Sequence, residues 1–450
     1  MSASEFSYDQ DHLRSLARQV LDHAAKKGAS ACEVDVSEGF GQSVTVRRDE
    51  VETIEYNRDK GIGVTVYLGQ RRGHASTSDF SANAVKATVE AAVSIARFTA
   101  EDDCAGLPEE KLLAKAPMDL DLYYPWSIDV EEAIALARRC EQSAFAVSPR
   151  ITNSEGASIS VQQSQFVSAN SLGFLDGFAT SRHYISCSVI AGEGDDMQRD
   201  DWYSSKRDPL ELAGPESIGD YAARRALARL GARQVKTRKV PVIFEAPLAA
   251  GLLGSFVQAV SGGALYRKST FLPDSLGKQI FPKFLQVSER PHIPKALASS
   301  PFDDDGVATH DREVVKDGVL QGYFLSTYTA RKLGMPTTGN AGGSHNLIAT
   351  SGQHAGQHDL AGLLKEMGTG LLVTELLGQG VNYVTGDYSR GAAGYWVENG
   401  VIAYPVHEIT IAGNLKDMFK GIVAIGNDVL VRGSKQIGSV LINQMTVAGN

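Results

Sequence analysis

The stretch 386–414 constrains the fold of this 450-residue chain more than any other. Residues 395–397 and 401–406 are rich in β-branched and aromatic side chains, which favour strands. Asn399-Gly400 stands between them, and this pair tolerates the positive φ angles of a two-residue hairpin turn. Pro405 removes one amide donor, so the returning strand is expected at a sheet edge or at a bend. The sequence therefore predicts an antiparallel hairpin in the C-terminal part of the chain.

The beginning of the same stretch has a different composition. Three glycines within residues 386–394 surround Asp387, Ser389 and Arg390. A Gly-rich loop that presents polar side chains beside a sheet is a common form of binding surface. A turn at the end of a strand, with an Asp cap and an Arg ion pair, explains the same spacing. The spacing does not choose between these two interpretations.

Composition and charge predict a soluble globular protein of two or three domains. The 43% hydrophobic and 22% charged residues are ordinary, and 450 residues suffice for several cores. The net charge of -9 argues against a nucleic-acid-binding protein, because such proteins neutralise phosphates with basic side chains. We therefore expect no nucleic acid among the partners.

Neither a membrane segment nor a secretory signal is predicted. The most apolar run, residues 240–260, is interrupted by Glu245, Ser255 and Gln258. The N-terminus lacks both a basic region and an apolar region. The cysteines lie far apart along the chain, at Cys32, Cys104, Cys140 and Cys187. Without a C-x-x-C pair they suit reduced thiols and give no metal signature, so the expected location is the cytoplasm.

The first half of the chain mixes helical and strand patterns. Helices are predicted at residues 8–27, 81–97, 129–147 and 218–230, and strands at 32–36, 43–47, 51–56 and 61–68 and in an antiparallel meander over 151–190. Asp129 and Glu132 form a capping-box pattern, and residues 193–201 suggest an acidic loop. The mixture predicts an α+β fold, with an N-terminal α/β region of antiparallel strands and helices. We divide it into subdomains 1–110 and 111–235, packed together.

The composition of the chain changes after residues 231–239. These residues are rich in Arg and Lys and make the best domain boundary. More glycines and short strands follow, with one helix predicted at 248–260. Asp317-Gly318 marks a second hairpin turn. These features predict a C-terminal, mostly antiparallel β domain over residues 240–450.

No complete catalytic motif is present. A zinc hydrolase needs paired histidines on a helix beside a Glu, and none of the ten histidines stands in that pattern. His354 and His358 have the spacing of one helix face, but Gly356 between them favours a solvated loop. Residues 303–306, Asp-Asp-Asp-Gly, lack the spaced ligands of a calcium loop, so an exposed turn is the preferred interpretation.

A second polar cluster, Tyr266, Arg267 and Lys268, places two cations beside hydroxyl groups. Such a group can hold a carboxylate or a peptide backbone. An ordinary ion-paired helix end explains it as well, and is the preferred interpretation.

Six stretches together resemble the TldD/PmbA family, also called modulators of DNA gyrase, and within it the PmbA or TldE branch. They are GIGVTVY (61–67), YRKSTF (266–271), DSLGKQ (274–279), KEMGTG (365–370), GDYSRGAAG (386–394) and EITIAGNL (408–415). The resemblance covers nearly the whole chain at the family's usual length. It implies a cytoplasmic metallopeptidase system that cleaves small or unfolded peptides, and a two-domain subunit that dimerises around an internal chamber.

For the TldD branch the resemblance implies a zinc site made of an H-E-x-x-x-H helix and a Cys near the C-terminus. The corresponding helix here is 251–260, which holds neither His nor Glu, and residues 436–439 hold no Cys. A hydrolytic zinc needs three protein ligands and an open position for water. We therefore predict no catalytic residue, no metal ligand and no cofactor in this chain, with zinc held by a TldD-type partner.

The leading hypothesis makes this chain the zinc-free subunit of such a protease. It pairs with a TldD-type subunit as a heterodimer, closes the chamber and holds a peptide substrate against an exposed sheet edge. A homodimer is the alternative assembly. The predicted substrate-binding residues are Asp387, Tyr388, Ser389, Arg390 and Gly391, with Tyr266, Arg267 and Lys268 as second choices.

Two rival hypotheses remain. A self-sufficient metallopeptidase would assemble its metal site from scattered residues such as His345, His354, His358 and His407. A non-catalytic regulator would act on gyrase or on a toxin–antitoxin system without proteolysis. Metal analysis of the isolated chain tests the first rival, and peptide cleavage with an added TldD-type protein tests the second.

Overall fold

The computed structural model describes residues 6–352 and 358–449. Its N-terminal half is an antiparallel sheet with helices. The helices are α1 (Gln10–Lys26), α2 (Ala82–Phe98), α3 (Val130–Val147) and α4 (Pro215–Ala228). The strands are β1 (Ala31–Arg47), β2 (Glu50–Leu68), β3 (Arg71–Thr77), β4 (Ile151–Asn170), β5 (Leu175–Asp176), β6 (Ala179–Ala191) and β7 (Gln198–Lys206).

These strands form a single seven-stranded sheet in the order β3-β2-β1-β4-β6-β7, with β5 paired to β4. The predicted strands at 32–36 and 43–47 are one strand, β1, and those at 51–56 and 61–68 are one strand, β2. The polar residues between them predict turns, but β1 pairs with β2 on one side and β4 on the other, so the strand continues. The predicted acidic loop is wrong for Asp200 and Asp201, which lie in β7 and pair with β6.

Helices α1 to α4 cover one face of this sheet. The β1 residues in their cores are all at even-numbered positions: Cys32, Val34 and Val36 with α1 and α2, and Val44 and Val46 with α3 and α4. Because side chains alternate between faces along a strand, both helix pairs lie on the same face. The predicted capping box is confirmed, since Asp129 accepts from the Glu132 amide and Glu132 accepts from the Asp129 amide.

The opposite face of the sheet meets the C-terminal half. Phe166 and Phe178 contact Phe302, with ring centroids 6.1 and 5.8 Å apart. Residue 110 lies in the connector between α2 and α3, and the strands before it and the strands after it belong to the same sheet. The proposed limits 1–110, 111–235 and 240–450 stay predictions.

The C-terminal half contains shorter elements. Its helices are α5 (Ala246–Ala259), α6 (Gly262–Tyr266), α7 (Thr327–Leu333), α8 (Leu360–Met367) and α9 (Leu415–Lys420). Its strands are β8 (Arg238–Phe244), β9 (Gln286–Glu289), β10 (Arg312–Lys316), β11 (Val319–Leu320), β12 (Leu347–Thr350), β13 (Gly370–Leu377), β14 (Asp387–Glu398), β15 (Val401–Asn414), β16 (Ile422–Ile425), β17 (Lys435–Gln436) and β18 (Val440–Ala448).

A six-stranded sheet of order β15-β14-β13-β8-β18-β16 dominates this half. Strand β15 also pairs with β18, so five of the strands close into a ring. Its pairs are antiparallel except β13 with β8, and the predicted mostly antiparallel domain is confirmed. A second sheet, β11-β10-β9-β12-β17, shares its hydrophobic core, to which α5 contributes Leu252, Leu253 and Phe256.

The predicted hairpin is confirmed as β14 and β15. Glu398 pairs with Val401, and the turn residues Asn399 and Gly400 have φ angles of 51° and 76°. Pro405 pairs with Tyr395 of β14 close to a register shift, where a missing donor is tolerated, and its carbonyl oxygen accepts from the Arg233 amide at 3.2 Å. Within the described ranges, no helix is long and apolar enough to cross a membrane.

Candidate functional site

The candidate site is a cavity between helix α5 and the ends of strands β13 and β14. Helix α5 follows β8 directly, with Glu245 at its N-cap and Pro247 in its first turn, where a missing amide donor costs nothing. One side of the helix enters the core, and Gly251 and Ser255, one turn apart, line the cavity. The cavity has a volume of about 160 Å3 and is lined by Leu248, Gly251, Leu252, Ser255, Leu376, Gln379, Val381, Tyr383, Tyr388 and Arg390.

Two side chains of β14 enter this cavity together. Tyr388 and Arg390 are two positions apart and therefore share one face of the strand. Burial raises the pKa of Tyr388 to about 12, and the adjacent Arg390 guanidinium opposes this rise only in part. The Tyr388 hydroxyl is thus protonated at neutral pH. The Nε atom of Arg390 is buried and has no acceptor among the described protein atoms.

A pair of hydroxyl groups completes the polar part of the cavity. The Oγ atom of Ser255 and the hydroxyl of Tyr383 lie 3.5 Å apart, at the limit of a hydrogen bond. Together with Tyr388 and Arg390 they place four donors around one small space. No carboxylate lines the cavity, so its chemistry suits an acceptor or an anion.

The predicted Gly-rich loop at residues 387–394 is wrong, because these residues are the first part of strand β14. The small residues serve close packing between strands: a Cβ on Gly394 would lie 1.9 Å from the Leu372 carbonyl oxygen. The predicted ion pair is wrong as well, since Arg390 forms no salt bridge with any described residue. The hydroxyl of Thr385 and the amide of Asn414 donate to Asp387 and lower its pKa.

The predicted binding residues on β14 are therefore divided between two faces. Tyr388 and Arg390 line the cavity, whereas Asp387, Ser389 and Gly391 alternate with them and do not. Asp387 and Ser389 are exposed. The cavity brings together two of the five residues.

The second-choice residues lie elsewhere. Tyr266 ends α6, and its ring contacts that of Tyr328 at 6.1 Å. Arg267 donates to the Tyr266 hydroxyl at 3.0 Å, and both Arg267 and Lys268 are exposed. Neither cation forms an ion pair with a described residue, so the ion-paired helix end is not formed, and none of the three lines the cavity.

The cavity does not fit a zinc ion. Among its lining residues there is no His, Cys, Asp or Glu, the side chains that bind zinc in proteins. Ser439, in the segment expected to correspond to a zinc-binding Cys, donates to Asp428 at 2.6 Å and accepts from the Ala246 amide at 3.0 Å. It therefore supports the first turn of α5. Across residues 6–352 and 358–449, no three His, Cys, Asp or Glu side chains lie close enough to hold a metal ion.

The histidines of the rival metal site have separate partners. His345 contacts the Gly339 carbonyl oxygen at 3.0 Å, His358 lies 3.6 Å from Glu366, and His407 contacts Gln198 at 3.4 Å. His354 lies outside the described residues. The described part of the chain gives this rival no ligand set.

Other site residues were not predicted, and the exposure of one predicted turn differs in part. Ser255 was visible only as a polar interruption of an apolar run, and Tyr383 and Gln379 carried no local signal. The predicted turn at residues 303–306 is present, since the Gly306 amide donates to the Asp303 carbonyl oxygen at 2.8 Å, and Asp304 is exposed. The Asp303 side chain, however, is buried and accepts from the backbone amides of Asp305, Val307 and Ala341.

The site thus combines a helix, a strand end and a polar cavity between them, and the sequence comparisons give the class of protein. Profiles described as domain 1, central domain and C-terminal domain of PmbA/TldA metallopeptidases match residues 32–96, 123–230 and 237–449. The chain belongs to the TldD/PmbA metallopeptidase family, in its PmbA branch.

Individual relatives agree with this assignment. The chain is 51% identical to "Metalloprotease PmbA" of Escherichia coli O157:H7, over 97% of this chain and 96% of the relative. It is 47% identical to a "Metalloprotease PmbA homolog" of Haemophilus influenzae, over 98% and 97%. A crystal structure of a putative modulator of DNA gyrase from Bacteroides thetaiotaomicron superposes with a TM-score of 0.91 at 28% identity, covering 98% of this chain and 99% of that one.

Proposed function

We propose that this chain is the zinc-free subunit of a TldD/PmbA-type metallopeptidase and that it holds the peptide substrate. One observation carries the proposal: the cavity at α5 is lined by Gly251, Ser255, Tyr388 and Arg390 in place of metal ligands. A hydrolytic zinc requires His, Cys or carboxylate ligands and an open position for water. In this proposal the zinc and its water belong to a TldD-type partner in a heterodimer.

Strand β13 supports the peptide-holding part of the proposal. Its pairing with β8 ends at Val373, while its pairing with β14 continues to Leu377. Residues 374–377 therefore have no strand partner on the β8 side, and Leu376 lines the cavity. An extended peptide can add to such an edge through main-chain hydrogen bonds with little demand on its sequence.

The four cysteines support a cytoplasmic location for this subunit. All four are free thiols, and Cys32, Cys140 and Cys187 are buried. Free buried thiols suit a reducing compartment.

The test is purification of the chain alone, of a TldD-type protein alone, and of both together. We expect zinc in the TldD-type protein, none at stoichiometric level in this chain, and cleavage of an unfolded peptide that is faster with both than with either. Stoichiometric zinc with peptidase activity in the isolated chain would favour the self-sufficient rival. A mixture that cleaves no faster than the TldD-type protein alone would favour the regulator.

A further inference from the structure

We infer that the cavity beneath helix α5 binds the carboxylate group of a peptide through Arg390. This inference rests on the proposed peptide-holding function and adds an anchor for one charged group of the substrate. It also gives the site a chemical preference, which an open strand edge alone lacks.

The state of Arg390 is the first reason. Its guanidinium group contacts the Tyr388 hydroxyl but forms no salt bridge with any residue in the described part of the chain, and its buried Nε atom has no protein acceptor. A buried donor atom without an acceptor is costly, so such atoms are usually hydrogen-bonded where they serve stability alone. The planar fork of donors in a guanidinium group matches the two oxygens of a carboxylate.

The surroundings of Arg390 are the second reason. The hydroxyls of Ser255, Tyr383 and Tyr388 line the same space, and none of its walls carries a negative charge. The Tyr388 phenol is protonated at neutral pH, as any tyrosine is, and burial, which raises its pKa to about 12, favours this state further. A carboxylate entering the cavity would therefore meet donors and no competing acidic group.

The size and position of the cavity are the third reason. At about 160 Å3 it has room for about five water molecules, at roughly 30 Å3 each. That space suits a carboxylate with a short stem. Gly251 is exposed at the cavity, and a Cβ built on it meets no atom within 4 Å, so the helix leaves an entrance there. Leu376 joins the cavity to the part of β13 that has no strand partner on the β8 side.

Two sources of the carboxylate are chemically equivalent: the C-terminus of the peptide and an acidic side chain. Three fluorescein-labelled versions of one unstructured eight-residue peptide separate them by anisotropy titration with the isolated, full-length chain. The first ends in a free carboxylate, the second in an amide, and the third in an amide preceded by Glu. We expect the first to bind about tenfold tighter than the second, as a charge-assisted hydrogen bond predicts. A third peptide as tight as the first identifies side chains as a source.

Two substitutions act on the cavity in different ways. Arg390→Met removes the cation, and Gly251→Leu fills the entrance while improving helix propensity, so it should not impair folding. We expect either change to abolish the preference for the carboxylate peptides. Arg224→Met, at an exposed arginine of α4, is the matched control and should keep it.

Equal binding of all three peptides by the unmodified chain would overturn the inference, as would a carboxylate preference that survives both substitutions. The anisotropy titrations measure binding to the isolated chain and do not depend on peptide cleavage. A carboxylate preference without cleavage in the mixed proteins would leave this inference standing while the proposed function fails. Cleavage by the mixed proteins without a carboxylate preference would support the proposed function and overturn this inference.

Discussion

Arg225 of helix α4 donates two hydrogen bonds to the carboxylate of Glu245, at 2.9 and 3.3 Å, and so ties the N-terminal half to the residue that begins helix α5. Arg225 also contacts Asp200 of β7 at 3.0 Å. One turn later, Arg229 contacts Asp200 at 3.5 Å and Glu375 of β13 at 2.5 Å. This network contacts both α5 and β13, the two elements whose separation defines the cavity.

Replacing Arg225 by Ala should destabilise the protein strongly. The change leaves the largely buried carboxylates of Glu245 and Asp200 without this partner, and breaking a buried pair costs about 3–5 kcal/mol. Arg224→Ala is the matched control, because its ion pair with Asp220 is exposed and should contribute about 0.5 kcal/mol or less. Urea unfolding followed by fluorescence measures both. Equal unfolding midpoints for the two variants would contradict the structural role of the network.

Replacing Gly400 by Ala should cost more than the same change at another hairpin glycine. Gly400 has a φ of 76°, and a Cβ there would lie 2.9 Å from the Lys365 Cα of α8. Gly69 has a φ of 63° with nothing within 4 Å, so Gly69→Ala reports the cost of the backbone angle alone, roughly 1 kcal/mol. The clash should add about 1–3 kcal/mol at Gly400. Thermal unfolding of both variants gives the difference, which should be absent if the turn does not pack against α8.

Local signals explain what could be predicted from the sequence. The capping box at Asp129 and the turns at Asn399-Gly400 and Asp317-Gly318 depend on neighbouring residues only, and all three are present. The long strands could not be predicted, because residues such as Glu38 and Gln42 are polar and resemble turn residues. Only pairing with β2 and β4, distant in sequence, shows that they lie inside a strand.

Local sequence signals predict even less of the candidate site. Helix α5 was predicted near its observed position, and Tyr388 and Arg390 were among the proposed binding residues. The cavity also requires Gly251 and Ser255, which lie more than a hundred residues before Tyr388 in the chain, and Tyr383, from the segment just before β14. Nothing local in the sequence indicates that these side chains meet. The division of β14 into an inner and an outer face likewise depends on it being a strand.

The titration of Asp303 should make the stability of the protein depend on pH. Burial, followed by the charge of Asp305, raises the pKa of Asp303 from 3.8 to about 7, although backbone hydrogen bonds oppose the rise. Between these values the folded state holds a proton that the unfolded state releases, so stability falls as pH rises from about 4 to about 7 and is level above that.

The variant Asp303→Asn tests this, because its side chain does not titrate. The unfolding free energy of the unmodified protein minus that of the variant should fall with pH by up to about 1.4 kcal/mol per unit within the window. Measuring the difference removes the contribution of all other titrating groups. A difference that rises with pH would mean that the three amide donors keep Asp303 ionised in the folded protein.

Thiol reactivity should single out Cys104. Cys32, Cys140 and Cys187 are buried, and Cys104 is partly exposed in the cleft that Asp102, Tyr328 and Lys332 also line. Burial, with a smaller contribution from Glu33, raises the pKa of the Cys32 thiol to about 12, so its reactive thiolate is scarce at pH 8. Ellman's reagent should therefore titrate one thiol quickly in the native protein and all four in guanidinium. Cys104→Ser should remove the fast reaction and Cys32→Ser should leave it, whereas a second fast thiol in the native protein would show that one of the buried cysteines is accessible.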